Sequence, residues 1–380
     1  MQRRIFLSLG LAGLVALGAV GNAQGPSQDR LKEGKSVTVR EWRVAEPITY
    51  ENLSVFPVLA RQWADTSAFV TLDEALARGE AVVTESGGEI IRRTRDGRPV
   101  PMPVPQGGAQ VNQLVLIHRG SKPLVLLAGE VVTGGKQDRV VAKDRVVPPG
   151  AEPLPLDVFC VERGRWAGAS AQFAAAKVMV HPSVREKAAV NQDQSEVWAA
   201  VRNGSTAPAA RAANGSAAYS TEALGRVIAS EAQSESYLKV YQKSRVGQSV
   251  ESFAEEVARR FERATRELKG ERVVGVIIAY GGEVAWADAF GSAELFAGYW
   301  PKLLRSYVVE ALARPGSQER ATLADAREFL RALEGRESVE SEPGVYRWRQ
   351  VAEGRYAEIE LTALAPKAQM LHWVKIRRTS

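Results

Sequence analysis

One cysteine, Cys160, and three histidines, His118, His181 and His372, are the only such residues in this chain of 380. A lone cysteine excludes an internal disulfide, so stability has to come from the core. The three histidines have no ligand spacing to one another, which leaves a zinc site poorly supplied. No metal and no other cofactor is expected. His118 closes an expected strand and His181 stands just before an expected helix, so both read as structural or exposed residues. A Walker loop, a dinucleotide-binding glycine fingerprint and a Gly-x-Ser-x-Gly elbow are also missing. Gly134-Gly135-Lys136 lacks the flanks of a phosphate loop and reads as a turn that presents Lys136. Basic residues number 50 against 44 acidic ones, interleaved without a sustained run, for a formal charge of +6. Nucleic acid is therefore not an expected partner.

Long apolar runs are scarce as well. The one candidate follows Arg3-Arg4, running from Ile5 to Val20 with Gly10, Gly13 and Gly18 inside it, and ends in Gly21-Asn22-Ala23. A basic start, a short apolar stretch and small residues are the parts of a secretory signal peptide, expected over residues 1–23 with cleavage after Ala23. An uncleaved anchor is the alternative, although the run is short for a membrane span. Arg3-Arg4-Ile5-Phe6-Leu7 also fits the core of a twin-arginine signal, and the Sec and twin-arginine routes both stay open. No cysteine follows for lipid attachment. The mature chain is expected to be soluble, periplasmic or extracellular, with no membrane insertion once the signal is removed.

What the chain does have is the makeup of a globular protein, 45% apolar and 25% charged. Residues 24–36 read as a disordered leader. Strands are expected over Val37 to Trp42, Ile48 to Val58, Ala81 to Glu85 and Glu89 to Arg92. Thr71-Leu72-Asp73-Glu74 reads as a capping box opening a helix that ends at Gly79. Leu114 to His118 and Leu124 to Ala128 are expected to pair as a hairpin. From Ser183-Val184-Arg185-Glu186 a helix is expected to run to about Val201, before the low-complexity stretch Asn203 to Ala218. Val250, Phe253, Val257, Phe261, Ala264 and Leu268 recur at helical spacing, as a core-facing stripe does. Gly281-Gly282 joins two strands in a hairpin. A helix carrying Leu295, Phe296, Tyr299, Leu303, Leu304 and Tyr307 follows, to be kinked or restarted at Pro301. A short helix over Leu323 to Leu333 precedes strands at Val345 to Val351, Tyr356 to Leu361 and Gln369 to Ile376. The expected fold class is α+β: a β-rich N-terminal half, helices packed on it, and extra C-terminal antiparallel strands.

The most informative stretch is Leu124 to Trp166. Two charged clusters are set there in apolar, strand-like sequence: Glu130 with Lys136, Gln137, Asp138 and Arg139, and Glu162 with Arg163, Gly164, Arg165 and Trp166. Such groups are costly to bury unpaired, so they pair with one another or face a pocket. Arginine forks suit carboxylate or phosphate ligands, and Glu130 or Glu162 could serve as a general base. An internal salt-bridge network holding two strand-loop elements in register is the plainer reading. Cys160 could be a nucleophile whose thiol Arg163 and Arg165 activate, or a small buried hydrophobe.

Gly129-Glu130, then Lys136-Gln137-Asp138-Arg139, then Cys160-Val161-Glu162-Arg163-Gly164-Arg165-Trp166 resemble the ARG and Rhodanese-Phosphatase-superfamily-associated Protein domain. That family shows a Gly-Glu, a Lys-Gln-Asn-Arg and a Cys-Val-Glu-x-Gly-Arg-Trp block. Tyr50-Glu51-Asn52-Leu53, Thr71 to Leu76 and Tyr299 to Tyr307 are similar to its opening strand, first helix and late helix. Asp138 departs from the pattern and adds a negative charge beside Arg139. The resemblance spans residues 37–315, leaving 316–380 as a C-terminal helix and strand extension. The family's name records gene and domain association, so the resemblance implies a domain and a site but no activity. Two functions stay open. One is an exported ligand-recognition or structural module of the cell envelope, with a small molecule or an envelope protein as partner. The alternative is a hydrolase or transferase acting on an anionic substrate.

Overall fold

Leu53–Ala60 is buried along its whole length, as a strand must be when both faces are covered. In the computed structural model it lies near one end of a nine-stranded antiparallel sheet. The model describes residues 41–85, 90–93, 99–102, 112–161, 172–203, 237–241, 245–266, 268, 270–314 and 317–379. The sheet runs in the order Trp42–Val44, Leu53–Ala60, Arg272–Tyr280, Glu283–Phe290, Gln369–Arg377, Tyr356–Ala363, Tyr346–Glu353 and Arg336–Glu342, with Ile48–Tyr50 also on Leu53–Ala60. Gly281, at φ +61°, turns the hairpin between Arg272–Tyr280 and Glu283–Phe290. Alternation gives each face of the sheet its own core. Val276, Ile278, Trp286, Val374 and Ile376 pack under the helices Arg245–Arg266 and Ala293–Ala313. Val274, Ala287 and Trp373 meet Ala326 and Phe329 of the helix Leu323–Phe329 on the other side.

Six further strands close a barrel. Glu130–Gly134, Arg139–Val141, Leu154–Cys160, Gln113–His118, Ala81–Glu85 and Gln172–Met179 follow one another around it, and the last returns to the first. Val83, Leu116, Val132, Val141, Val158 and Phe173 fill the interior. A small sheet of Arg145–Val147, Leu124–Leu126 and Val70–Thr71 lies beside it. The capping box at Thr71 and Glu74 is formed and opens Leu72–Ala77. Described residues are 29% helix and 41% strand, so the α+β class holds and strand dominates.

Several local expectations are overturned. Leu114 to His118 does not pair with Leu124 to Ala128: Gln113–His118 lies between Ala81–Glu85 and Leu154–Cys160, while Leu124–Leu126 joins Val70–Thr71 and Arg145–Val147. His118 Nε2 bonds the Lys122 carbonyl at 2.6 Å and turns the chain out of the barrel between the two. The helix expected from Ser183 to Val201 breaks. Pro182–Glu186 passes into a π-helical turn, Lys187–Asn191, and ends at left-handed Gln192, before Gln194–Asn203 begins. Ser183 does not cap it, because its hydroxyl donates to Glu310. On Arg245–Arg266 the stripe is buried at Val250, Phe253, Val257 and Phe261, but Ala264 is exposed and Leu268 lies beyond the helix. Pro301 neither splits nor restarts Ala293–Ala313; it sits on the exposed side, where the acceptor it leaves without an N–H can meet water. The late helix stops at Phe329, and the strands Gln172–Met179 and Arg336–Glu342 were not expected. Val37 to Arg40 and Ser205 to Ala218 lie outside the described residues.

The closing strands are not a separate layer. Gln369–Arg377 pairs directly with Glu283–Phe290 in the middle of the sheet, and Glu41–Ser380 forms one compact unit without a break at Pro315.

Candidate functional site

A tight turn, Leu127-Ala128-Gly129-Glu130, holds the central block. Glu130 N–H donates to the Leu127 carbonyl at 3.2 Å, and the Leu127 N–H donates back to Glu130 Oε2 at 2.7 Å. Gly129 takes φ +97°, and a Cβ there would stand 2.8 Å from Arg185 Cγ, so glycine is required twice over. The other carboxylate oxygen, Glu130 Oε1, accepts from Lys302 Nζ at 2.5 Å, and Lys302 also reaches Asp73 Oδ2 at 2.8 Å. Glu130 is 1% exposed. Burial pushes its carboxyl above the usual carboxylate range against the pull of Lys302, and Asp73 adds to the rise. Burial opposes the charge on Lys302, but Glu130 and Asp73 outweigh it and hold the ammonium above its ordinary value.

The remainder of the block closes one end of the barrel. Alternation sets Arg139 with Val141 and Glu85 with Val83, so both project inward. Arg139 Nη2 lies 3.8 Å from Glu85 Oε1, and its Nη1 donates to Gln137 Oε1 at 3.2 Å. The Lys136 N–H donates to Glu85 Oε1 at 3.1 Å, and Asp138 Oδ1 accepts from the Thr133 hydroxyl at 2.7 Å. Cys160 is 0% exposed and forms no disulfide. Its main chain is clamped by the Gln194 amide, which accepts from Cys160 N–H and donates to Cys160 O. A thiol buried to that degree offers no attack on an outside substrate. Glu162, Arg163, Gly164, Arg165 and Trp166 lie outside the described residues, so the second cluster is not placed.

Sequence reading missed the larger network behind this turn. His372 joins two aspartates, with Nδ1 at 2.5 Å from Asp144 Oδ2 and Nε2 at 2.8 Å from Asp288 Oδ1. Asp288 Oδ2 accepts from Arg185 Nη1 at 2.8 Å, from Trp286 Nε1 at 2.6 Å and from the Tyr307 hydroxyl. Ala128 ties the network to the turn: its N–H donates to Asp144 Oδ1 at 2.7 Å, and its carbonyl accepts from Arg185 Nε at 2.9 Å. Burial alone would lower the His372 imidazolium, but the aspartates outweigh it and hold the ring above its usual range. Burial would raise Asp288, but Arg185 and His372 hold it well below the carboxylate range. Arg185 and His372 thus stand against Asp144 and Asp288. Tyr307, the hydroxyl nearest to hand, is pushed far above the usual phenol range, first by burial and then by Asp288. It donates to Asp288, and its raised pKa disfavours the phenolate that a nucleophile needs.

One helix carries the far side of these contacts. Lys302, Ser306 and Glu310 recur every fourth residue on the buried face of Ala293–Ala313. They bond Glu130, the Val180 carbonyl and Ser183 in turn. Polar residues four apart in an apolar helix are the sequence signal that could have found them. Beside Glu310, His181 Nδ1 meets the Tyr237 hydroxyl at 2.6 Å, and burial lowers its imidazolium. His118 and His181 are both buried within the structure. Among the described residues no group of three or more His, Cys, Asp or Glu could hold a metal ion, and no helix is long and apolar enough to cross a membrane.

The family model for the ARG and Rhodanese-Phosphatase-superfamily-associated Protein domain matches residues 41–376, and the chain belongs to that family. The match takes in the strands beyond Pro315, which the resemblance had left outside. No curated protein matches the chain, and no solved structure does.

Proposed function

We propose that this member of the family is an exported module of the cell envelope that recognises a ligand or partner, or serves a structural role there, with the Glu130 block as its frame. One observation carries the reading. Both oxygens of Glu130 are engaged, by Lys302 and by the Leu127 N–H, on a side chain that is 1% exposed. A general base must reach the proton that it removes, and this one is closed off. The segment Arg3 to Ala23, with its basic start and glycine-broken apolar run, supports export. Fusing residues 1–36 to alkaline phosphatase tests that part. Fusion protein recovered from the periplasm in a shortened form is the expected result, and unshortened, inactive fusion protein confined to the cytoplasm contradicts it.

Recognition is tested by thermal-shift screening of the purified chain against metals, nucleotides, sugars and organic acids. A ligand present at about 100 times its dissociation constant adds roughly 2.7 kcal/mol. A shift that Lys136→Ala/Arg139→Ala removes makes the block the binding site. A variant that melts lower, with every ligand shift kept, makes it a frame.

The upward push on the Glu130 carboxyl favours one second reading, a hydrolase or transferase acting on an anionic substrate with Glu130 as base. Its test is turnover of phosphoester, peptide and glycoside substrates by the wild type and by Glu130→Gln. Turnover that the substitution abolishes would replace the recognition reading.

A further inference from the structure

Beside the first turns of helix Ala293–Ala313 lies a cleft of about 530 Å3, reaching from Trp63 and Asp65 across Glu74 and Arg78 to Gly298. Neither Lys302, one helical turn beyond Gly298, nor Glu130 lines it. Trp63 is 43% exposed, and among the described residues it is the one aromatic side chain left so open. The Arg272 guanidinium lies 5.3 Å from its ring centroid, and Arg272 Nη1 lies 3.6 Å from Glu294 Oε1. The loop that carries Trp63 is pinned. Ala64 N–H donates to the Gly291 carbonyl at 2.7 Å, Gln369 Nε2 to the Asp65 carbonyl at 3.0 Å, and Lys122 Nζ to the Ser67 carbonyl at 2.8 Å. An aromatic platform set in advance loses little entropy when a ligand stacks on it.

The rim decides the ligand class. Its lining carries both signs of charge, the carboxylates of Asp65, Glu74 and Glu294 and the cations Arg78 and Lys122. An anion would meet the first set and a cation the second. A neutral ligand rich in hydroxyls suits both, because each hydroxyl donates one hydrogen bond and accepts others. A broad apolar ring beside many polar side chains suits a ligand that has an apolar face and many hydroxyls. The C–H face of a sugar ring is the partner that needs both.

We infer that this cleft binds a neutral oligosaccharide, stacked on Trp63 and hydrogen-bonded through its hydroxyls to Asp65, Glu74 and Arg78. This names a ligand class for the recognition reading above and rests on it.

The test uses the purified full chain with cellotetraose, maltotetraose, chitotetraose and the anionic tetragalacturonate, followed by calorimetry. Two variants report on the cleft. Trp63→Ala removes the platform. Gly298→Phe adds a ring at the lining of the cleft, where the Cβ itself meets nothing within 4 Å. At least one neutral tetrasaccharide is expected to bind, at least tenfold more weakly in each variant, with unfolding midpoints kept. No binding of a neutral tetrasaccharide, preference for tetragalacturonate, or wild-type affinity in either variant overturns the proposal. Should saccharides fail while a nucleotide, metal or organic acid shifts the melting curve, the oligosaccharide assignment falls and the recognition reading stands. No shift from any class removes both.

Discussion

Lys302 Nζ and Glu130 Oε1 stand 2.5 Å apart across 172 residues of sequence, joining the late helix to the turn that starts a barrel strand. The same turn hands Ala128 to Asp144 and Arg185, so two buried charge networks share four residues of backbone. A buried ion pair adds little net stability over a well-packed apolar pair, yet removing one partner alone is costly. The arrangement therefore fixes how the helix, barrel and sheet meet.

The charges around His372 set a pH dependence. Its folded pKa lies above the ordinary 6.5, so its stabilisation is complete below that value and is lost as pH rises through the folded pKa. Asp288 is held below its ordinary 3.8, so its contribution is present above that value and fades as pH falls. Unfolding free energy by urea titration should decline as pH rises above the ordinary histidine value of 6.5, and His372→Gln should flatten that limb while lowering stability throughout. An alkaline limb unchanged in His372→Gln would show that the ring does not carry it.

Cys160 reports on whether the barrel opens. Its thiol should resist a disulfide reagent in the native protein and react to completion once denatured, as 0% exposure requires. Fast labelling under native conditions would restore the nucleophile reading.

Two substitutions separate the buried from the exposed part of the helix Arg245–Arg266. Phe261 is buried against Phe296 and Trp300, and Phe261→Ala should cost about 3–5 kcal/mol. Ala264 faces water, so Ala264→Asp should stay within about 0.5 kcal/mol. Comparable losses at both positions would mean that the stripe continues to its end.

Much of this was written in local sequence. The capping box at Thr71, the Gly281-Gly282 hairpin, the Val250 to Phe261 stripe and the closing strands rest on neighbours in the chain, and they formed where period and turn chemistry put them. The barrel did not show itself, because Gln113–His118 finds its partners at Ala81–Glu85 and Leu154–Cys160, and alternation names no partner. The Glu130 block was legible as charge that must be compensated. Its actual partners, Lys302 and Asp73, lie far along the chain, and the pairing with Arg139 went instead to Glu85. Asp288 and His372 were each a single polar residue in apolar sequence, Asp144 and Arg185 sat among other charges, and nothing in their spacing foretells that the four meet.

The central claim, that Glu130 is a structural charge closed by Lys302, is tested most directly by a double-mutant cycle read in urea unfolding. Lys302→Met alone should cost about 3–5 kcal/mol, because it strands a buried carboxyl beside Asp73. Adding Glu130→Gln should return part of that loss, with a coupling of about 1–3 kcal/mol. A Lys302→Met protein as stable as the wild type, with no coupling to Glu130→Gln, would contradict the account and turn attention to Glu130 as a chemical group.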